Sequence, residues 1–210
     1  PRVTADLAID TLPPWVWRPE GPRYARVRHL PYNGPSSVPS WAVTRPDRPR
    51  VAVTLGLSHA TSGVEHASVA DLLGAFDGLD VEVVAAVGGD VPAGFTAPGN
   101  VRVVEFVPVN ALFATCSAVV HHGGSGTFAA AYEHGVPQLV VPSVYWSDRW
   151  FGPVAQVHGL EEQGAGLHVA DSDALDPARL RSCVERVLAD GTFAANAERL
   201  RRDHAAGIAE

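Results

Sequence analysis

Ala118-Val119-Val120-His121-His122-Gly123-Gly124-Ser125-Gly126-Thr127 reads as a strand, a tight turn and the opening of a helix. The β-branched pair favours an extended backbone. Three glycines within four residues allow a turn that side chains would obstruct, and Phe128–Tyr132 continues as a helix-compatible stretch. A strand, glycine turn and helix N-terminus in this order suit a phosphate. Backbone N–H groups approach an anion closely where no Cβ intervenes, and the helix dipole favours negative charge. The dipole alone contributes about 0.3–1 kcal/mol when exposed and about 2 kcal/mol when partly buried. Several N–H donors, a histidine and the Ser125 or Thr127 hydroxyl must therefore act together. Two other chemistries fit less well. A nucleophile elbow needs Gly-x-Ser-x-Gly, and here Thr127 stands at the fifth position. Adjacent histidines point apart and have no partner at metal-ligand spacing, which argues against zinc.

Around this stretch, apolar strands alternate with helical patterns from Arg50 onward. Val51–Leu55, Val81–Val87, Val101–Phe106, Ala118–Val120 and Gln138–Val141 read as strands buried on both faces. Val69–Leu79 and Gly126–His134 read as helices, the second stopped by Gly135 and Pro137. A C-terminal helix opens with Asp176 as N-cap and Pro177 in its first turn, and Leu180, Cys183, Val184, Val187 and Leu188 share one face. The pattern predicts an α/β fold, a doubly wound parallel sheet, with ligands beyond the carboxyl ends of its strands. Residues 1–49 differ: they are rich in Pro, Arg and Trp, with extended candidates at Asp6–Ile9 and Ala25–Leu30 and a turn-dense linker from Pro31 to Ser40.

Composition narrows the function. The chain has 210 residues and a net charge of −7, which speaks against a general nucleic-acid binder. No apolar run approaches the ~20 residues of a membrane span. All 16 basic residues are Arg, so a cation at the site is Arg or His. Cys116 and Cys183 have neither disulfide-scaffold nor metal spacing, which suits a reducing cytoplasm. The chain contains no Met and begins at Pro1, so we expect a piece of a longer protein.

Three further segments carry chemistry. The small-residue loop Leu55–Gly63 lacks G-x-G-x-x-G, and no acidic ribose ligand follows the second strand, so a dinucleotide site is disfavoured. Ser58 in that loop can face phosphates from the other side. Phe106-Val107-Pro108 places an aromatic ring and backbone groups where a nucleobase could bind. Asp148 lies among Tyr145, Trp146, Arg149 and Trp150, a polar and aromatic cluster suited to a sugar. Arg18, Arg23, Arg26 and Arg28 read most simply as solvated or linker charges.

Val27–Pro35, Arg50–Gly56, Asn100–Arg102, Phe106–Pro108, Val120–Thr127 and Gly135–Gln138, taken in order, resemble the C-terminal, donor-binding half of GT-B glycosyltransferases. The resemblance is to the bacterial enzymes that attach deoxysugars to macrolide and aromatic polyketide antibiotics. It implies that residues 1–49 are the end of an N-terminal acceptor domain plus linker, and that residues 50–210 bind a nucleotide sugar. It implies a diphosphate site at His121, Gly123, Gly124, Ser125, Gly126 and Thr127, faced by Ser58. Phe106 would stack on the base and the Val107 backbone would bond its edge. His121→Ala is expected to weaken dTDP binding more than His122→Ala.

Many relatives hold the ribose hydroxyls with a glutamate soon after the turn, where this chain reads Phe128-Ala129-Ala130-Ala131. That favours a dTDP-sugar over a UDP-sugar. Asp148 and Arg149 stand two residues later than the family's sugar-binding Asp-Gln or Asp-Thr. No catalytic base, metal or cofactor is expected in this chain, because the family's base lies in the N-terminal domain. The implied partners are a dTDP-deoxysugar, a polyketide-type acceptor and an auxiliary protein or second copy, for which the Trp15, Trp17 and Arg-rich stretch is a candidate surface. A sugar-nucleotide epimerase and a non-catalytic nucleotide-binding module are the alternatives.

Overall fold

Val51, Val53, Val83, Ala85, Ala118 and Val120 enter one hydrophobic cluster, while Ala52, Val84 and Val119 enter another. Alternate residues of each strand thus point to opposite covered faces, which is why these strands read as continuous apolar runs. The computed structural model describes residues 6–54, 69–87, 94–142 and 151–208. Its main sheet comprises β3 (Arg50–Thr54), β4 (Glu82–Ala86), β5 (Val101–Val104), β6 (Ala118–His121), β7 (Gln138–Val140) and β8 (Gly166–His168). The strand order is β5-β4-β3-β6-β7-β8, and every pairing is parallel. The order reverses direction between β3 and β6, and ligands of such sheets bind in the crevice outside the carboxyl ends at that switch. The α/β, doubly wound parallel architecture expected from the sequence is the one observed.

Helices cover both faces. On one side lie α2 (Val69–Gly74) and α6 (Pro177–Ala189), whose Leu72, Leu73, Leu180, Val184 and Val187 join the larger cluster. On the other lie α3 (Val109–Phe113) and α4 (Ser125–Glu133). Helix α4 is buried from Phe128 to Tyr132, because Ala130 and Ala131 face the sheet while Phe128, Ala129 and Tyr132 face a third cluster. That third cluster includes α5 (Phe151–Glu162) and α7 (Gly191–Ile208). Gly135, at φ 64°, ends α4 in the left-handed conformation that glycine adopts without strain.

Three expectations are corrected. Val101–Val104 forms an edge strand with Arg102 exposed, because β5 has a neighbour on one side only. Of the four arginines of the N-terminal stretch, Arg18 is part-buried and pairs with Asp10 at 2.7 Å, while Arg28 is exposed as expected and its Nε donates to Glu133 at 2.7 Å. Trp15 lies edge-on to Phe128 and Tyr132, with centroids 6.0 and 5.8 Å apart, and so belongs to the packing of α4. Trp17 is 63% exposed. A two-stranded parallel sheet, β1 (Leu7–Asp10) with β2 (Arg23–Arg26), and the short helix α1 (Ser40–Val43) complete the N-terminal stretch.

Candidate functional site

Strand β6 delivers His121 to the carboxyl end of the sheet beside Thr54 of β3, which is the switch point. The chain then turns through Gly123, at φ 89°, and enters α4 at Ser125. Only glycine takes this conformation readily, and a Cβ on Gly123 would also meet Pro153 Cβ at 3.1 Å. The N-cap of α4 is Gly124, with no side-chain capping bond, and the first intrahelical bond runs from Phe128 N–H to Gly124 O. The helix itself therefore gives the N–H groups of Ser125, Gly126 and Thr127 no partner. Ser125 and Gly126 are exposed. The N–H groups and the positive end of the α4 dipole thus meet at the turn.

The two histidines have different settings. His121 is 1% exposed, and its ring gives both nitrogens to the protein. Gly123 N–H donates to Nδ1 at 3.1 Å, so Nε2 carries the proton and donates to Gln138 Oε1 at 2.8 Å. The Gln138 amide in turn donates to Phe128 O at 3.3 Å. One chain of bonds thus joins the turn, β6, β7 and the first turn of α4. Burial pushes the His121 pKa down to about 4, against the opposing effect of its bond to Gln138. The imidazole is neutral at pH 7 and organises the turn from beneath. His122 is half-buried and stands over Gly124, where an added Cβ would lie 2.6 Å from Nε2.

Of the base-binding candidates, Phe106 is 47% exposed, so its ring is open to a stacking partner. Val107 is buried and anchors that strand end in the core beside Leu112 and Phe113. Ser58, Asp148 and Arg149 lie outside the described residues. The partner observed for Ser125 Oγ is the Gln156 amide nitrogen, 3.0 Å away. An amide cannot accept a proton as a hydrolase base would. Among the described residues no group of three His, Cys, Asp or Glu side chains is placed to hold a metal ion. No helix among them is long and apolar enough to cross a membrane. Sequence reasoning missed Gln138 and Gln156, because their pairing with the turn spans 17 and 31 residues and follows no local spacing.

Comparison with known proteins agrees with the parallel α/β fold. Residues 70–208 match the model of the erythromycin biosynthesis protein CIII-like C-terminal domain, and residues 2–56 match the corresponding N-terminal domain model. The chain belongs to the erythromycin biosynthesis protein CIII-like family. The aclacinomycin-T 2-deoxy-L-fucose transferase of Streptomyces galilaeus is 42% identical over 196 residues, 93% of this chain and 43% of that protein. Among solved structures, spinosyn forosaminyltransferase SpnP is similar at 38% identity with a TM-score of 0.82, over 95% of this chain and 50% of that one. Glycosyltransferase VinC in complex with dTDP matches at 38% identity and a TM-score of 0.73, over 92% of this chain and 47% of that one. This family member thus spans about half the length of the relatives it matches.

Proposed function

We propose that this chain is the donor-binding half of an inverting, metal-independent glycosyltransferase that moves a deoxysugar from a dTDP-sugar to a hydroxyl of a polyketide-type natural product. The observation that carries the reading is the uncapped N-terminus of α4, opened by a glycine turn at the topological switch point. The names of similar proteins, deoxysugar transferases and a dTDP complex, support the choice of ligand.

In the whole enzyme the acceptor hydroxyl attacks the anomeric carbon in line, and the nucleoside diphosphate departs with the bonding electrons. Negative charge grows on the departing phosphate. The N–H groups of residues 125–127, the Ser125 and Thr127 hydroxyls and the α4 dipole are aimed at that charge, and fixed donors of this kind are often the largest catalytic contribution. His121 contributes by holding Gly123 in its left-handed turn. By the family resemblance, Phe106 is assigned to stack on the base and the Val107 backbone to meet its edge, while Ser58 is assigned to the diphosphate and Asp148 with Arg149 to the sugar. The general base and the acceptor site lie in an N-terminal domain, across a cleft of the kind in which small molecules commonly bind.

The chain is therefore expected to bind dTDP and to transfer no sugar by itself. Titration calorimetry with dTDP, UDP and NAD checks this. Heat with dTDP, less with UDP and none with NAD is the expected order, and silence with both diphosphates would sink the reading. His121→Ala should weaken dTDP binding more than His122→Ala, because loss of the buried ring releases the turn itself; the opposite order would refute this role.

A further inference from the structure

We propose that Gln156 is a positioning residue for the diphosphate turn, fixing the Ser125 hydroxyl so that its proton is offered to the bound phosphate. This rests on the donor-site reading above. A serine hydroxyl has one proton to donate and two lone pairs. Gln156 Nε2 donates to Ser125 Oγ at 3.0 Å and so occupies a lone pair. The hydroxyl proton is left for another acceptor. Ser125 is the first residue of α4 and is exposed, beside N–H groups for which the helix supplies no acceptor. An acceptor arriving there serves the hydroxyl and the N–H groups together, and a phosphate oxygen has that capacity.

A second observation comes from the amide itself. Gln156 is 1% exposed, and its Oε1 is buried without a hydrogen-bond partner. Buried polar atoms are normally satisfied, and an unsatisfied one weakens a fold relative to an apolar side chain of similar shape. Packing alone would be served better by methionine. Among the described residues the amide's one bond is the bond to Ser125, so its use lies there. Helix α5 also reaches the turn one helical turn earlier, where Pro153 Cβ would lie 3.1 Å from a Cβ on Gly123. The helix thus abuts the turn at Gly123 and at Ser125 and holds both in register.

The test compares wild type, Gln156→Met, Gln156→Glu, Ser125→Ala and the Ser125→Ala/Gln156→Met double variant, titrated with dTDP and with thymidine, alongside thermal unfolding. Gln156→Met should unfold at the same or a higher temperature, bind dTDP about 5- to 20-fold more weakly and bind thymidine as wild type does. Gln156→Glu should lose more dTDP affinity, because its carboxylate captures the hydroxyl proton and repels the diphosphate. On the Ser125→Ala background, Gln156→Met should change dTDP affinity by less than about twofold, since both act through one hydroxyl. Wild-type dTDP affinity in either Gln156 variant overturns the proposal. So does an equal loss for thymidine, or a full additional loss on the Ser125→Ala background. A wild-type chain that binds no dTDP defeats the donor-site reading itself, and the wild-type titration shows that before any variant is made.

Discussion

At the residue scale, His121 shows how a motif residue can work from inside. Its ring receives the Gly123 N–H and gives its own N–H to Gln138, so one tautomer is fixed by neighbours on one strand and a turn. Protonating Nδ1 would break the bond to Gly123 and place a charge where the ring is 1% exposed. The pH consequence follows from linkage. The pKa falls from 6.5 in the unfolded chain to about 4 in the fold, so between those values the unfolded chain binds the extra proton. Stability from the neutral ring is complete above about pH 6.5 and is lost as pH falls toward 4. His134 and His204, also pushed down by burial, add in the same direction. His121→Gln should therefore be less stable than wild type at pH 7.5, and the gap should shrink by on the order of 2–3 kcal/mol by pH 4.5. Urea unfolding at both pH values measures it. A gap independent of pH would show that the ring does not titrate on unfolding.

At the element scale, the helix that sequence reading defined best is α6. Asp176 caps it by accepting from Ala178 N–H at 3.0 Å, Pro177 follows, and Leu180, Val184 and Val187 are its buried face. Asp176→Ala should cost about 1 kcal/mol in chemical denaturation, with dTDP affinity unchanged because α6 contributes nothing to the turn. A loss of dTDP binding would reveal a coupling absent from the contacts. The same capping logic at α4 gives the opposite result, since Gly124 offers no side chain and leaves the first-turn N–H groups to a ligand. The strands β3, β4, β6 and β7 were legible because burial on both faces demands continuous apolar runs. Other elements carried no such mark. Gly166–His168 is three residues long, and α5 contains Gly152, Pro153 and Gly159, which weaken a helical signal. The site divides likewise. Its backbone cradle was written in consecutive glycines, whereas Gln138 and Gln156 reach it through tertiary packing that no local period announces.

For the whole molecule, the question is how the N-terminal stretch is fastened to the six-stranded sheet. Arg28 reaches Glu133 of α4, and Asn33 accepts from Val109 N–H at the start of α3 while its amide donates to Asn110 at 2.7 Å. The strongest tie is Arg50, the first residue of β3 and 2% exposed. Its guanidinium donates to the carbonyls of Trp41, Ala42 and Thr44, to Thr115 and, through two nitrogens, to Glu82. A planar fork of five donors suits that many acceptors, and lysine would not replace it. One side chain at the amino end of a central strand thus ties β3 to β4 and pins α1 to the sheet. Arg50 is buried while its partner Glu82 is part-buried. Removing the guanidinium leaves the carbonyls of Trp41, Ala42 and Thr44 and the Thr115 hydroxyl without this donor, so Arg50→Ala should cost about 2–3 kcal/mol. Arg48 is the matched control, with a 3.6 Å pair to Asp80 in which both side chains are largely exposed. Arg48→Ala should cost under about 0.5 kcal/mol. If Arg50 holds α1 as the geometry requires, limited proteolysis should cleave the Arg50→Ala chain between Val43 and Pro49 well before it cleaves the Arg48→Ala chain. Equal cleavage with unequal stability would place the worth of Arg50 in its pair with Glu82 and not in the carbonyls of the linker.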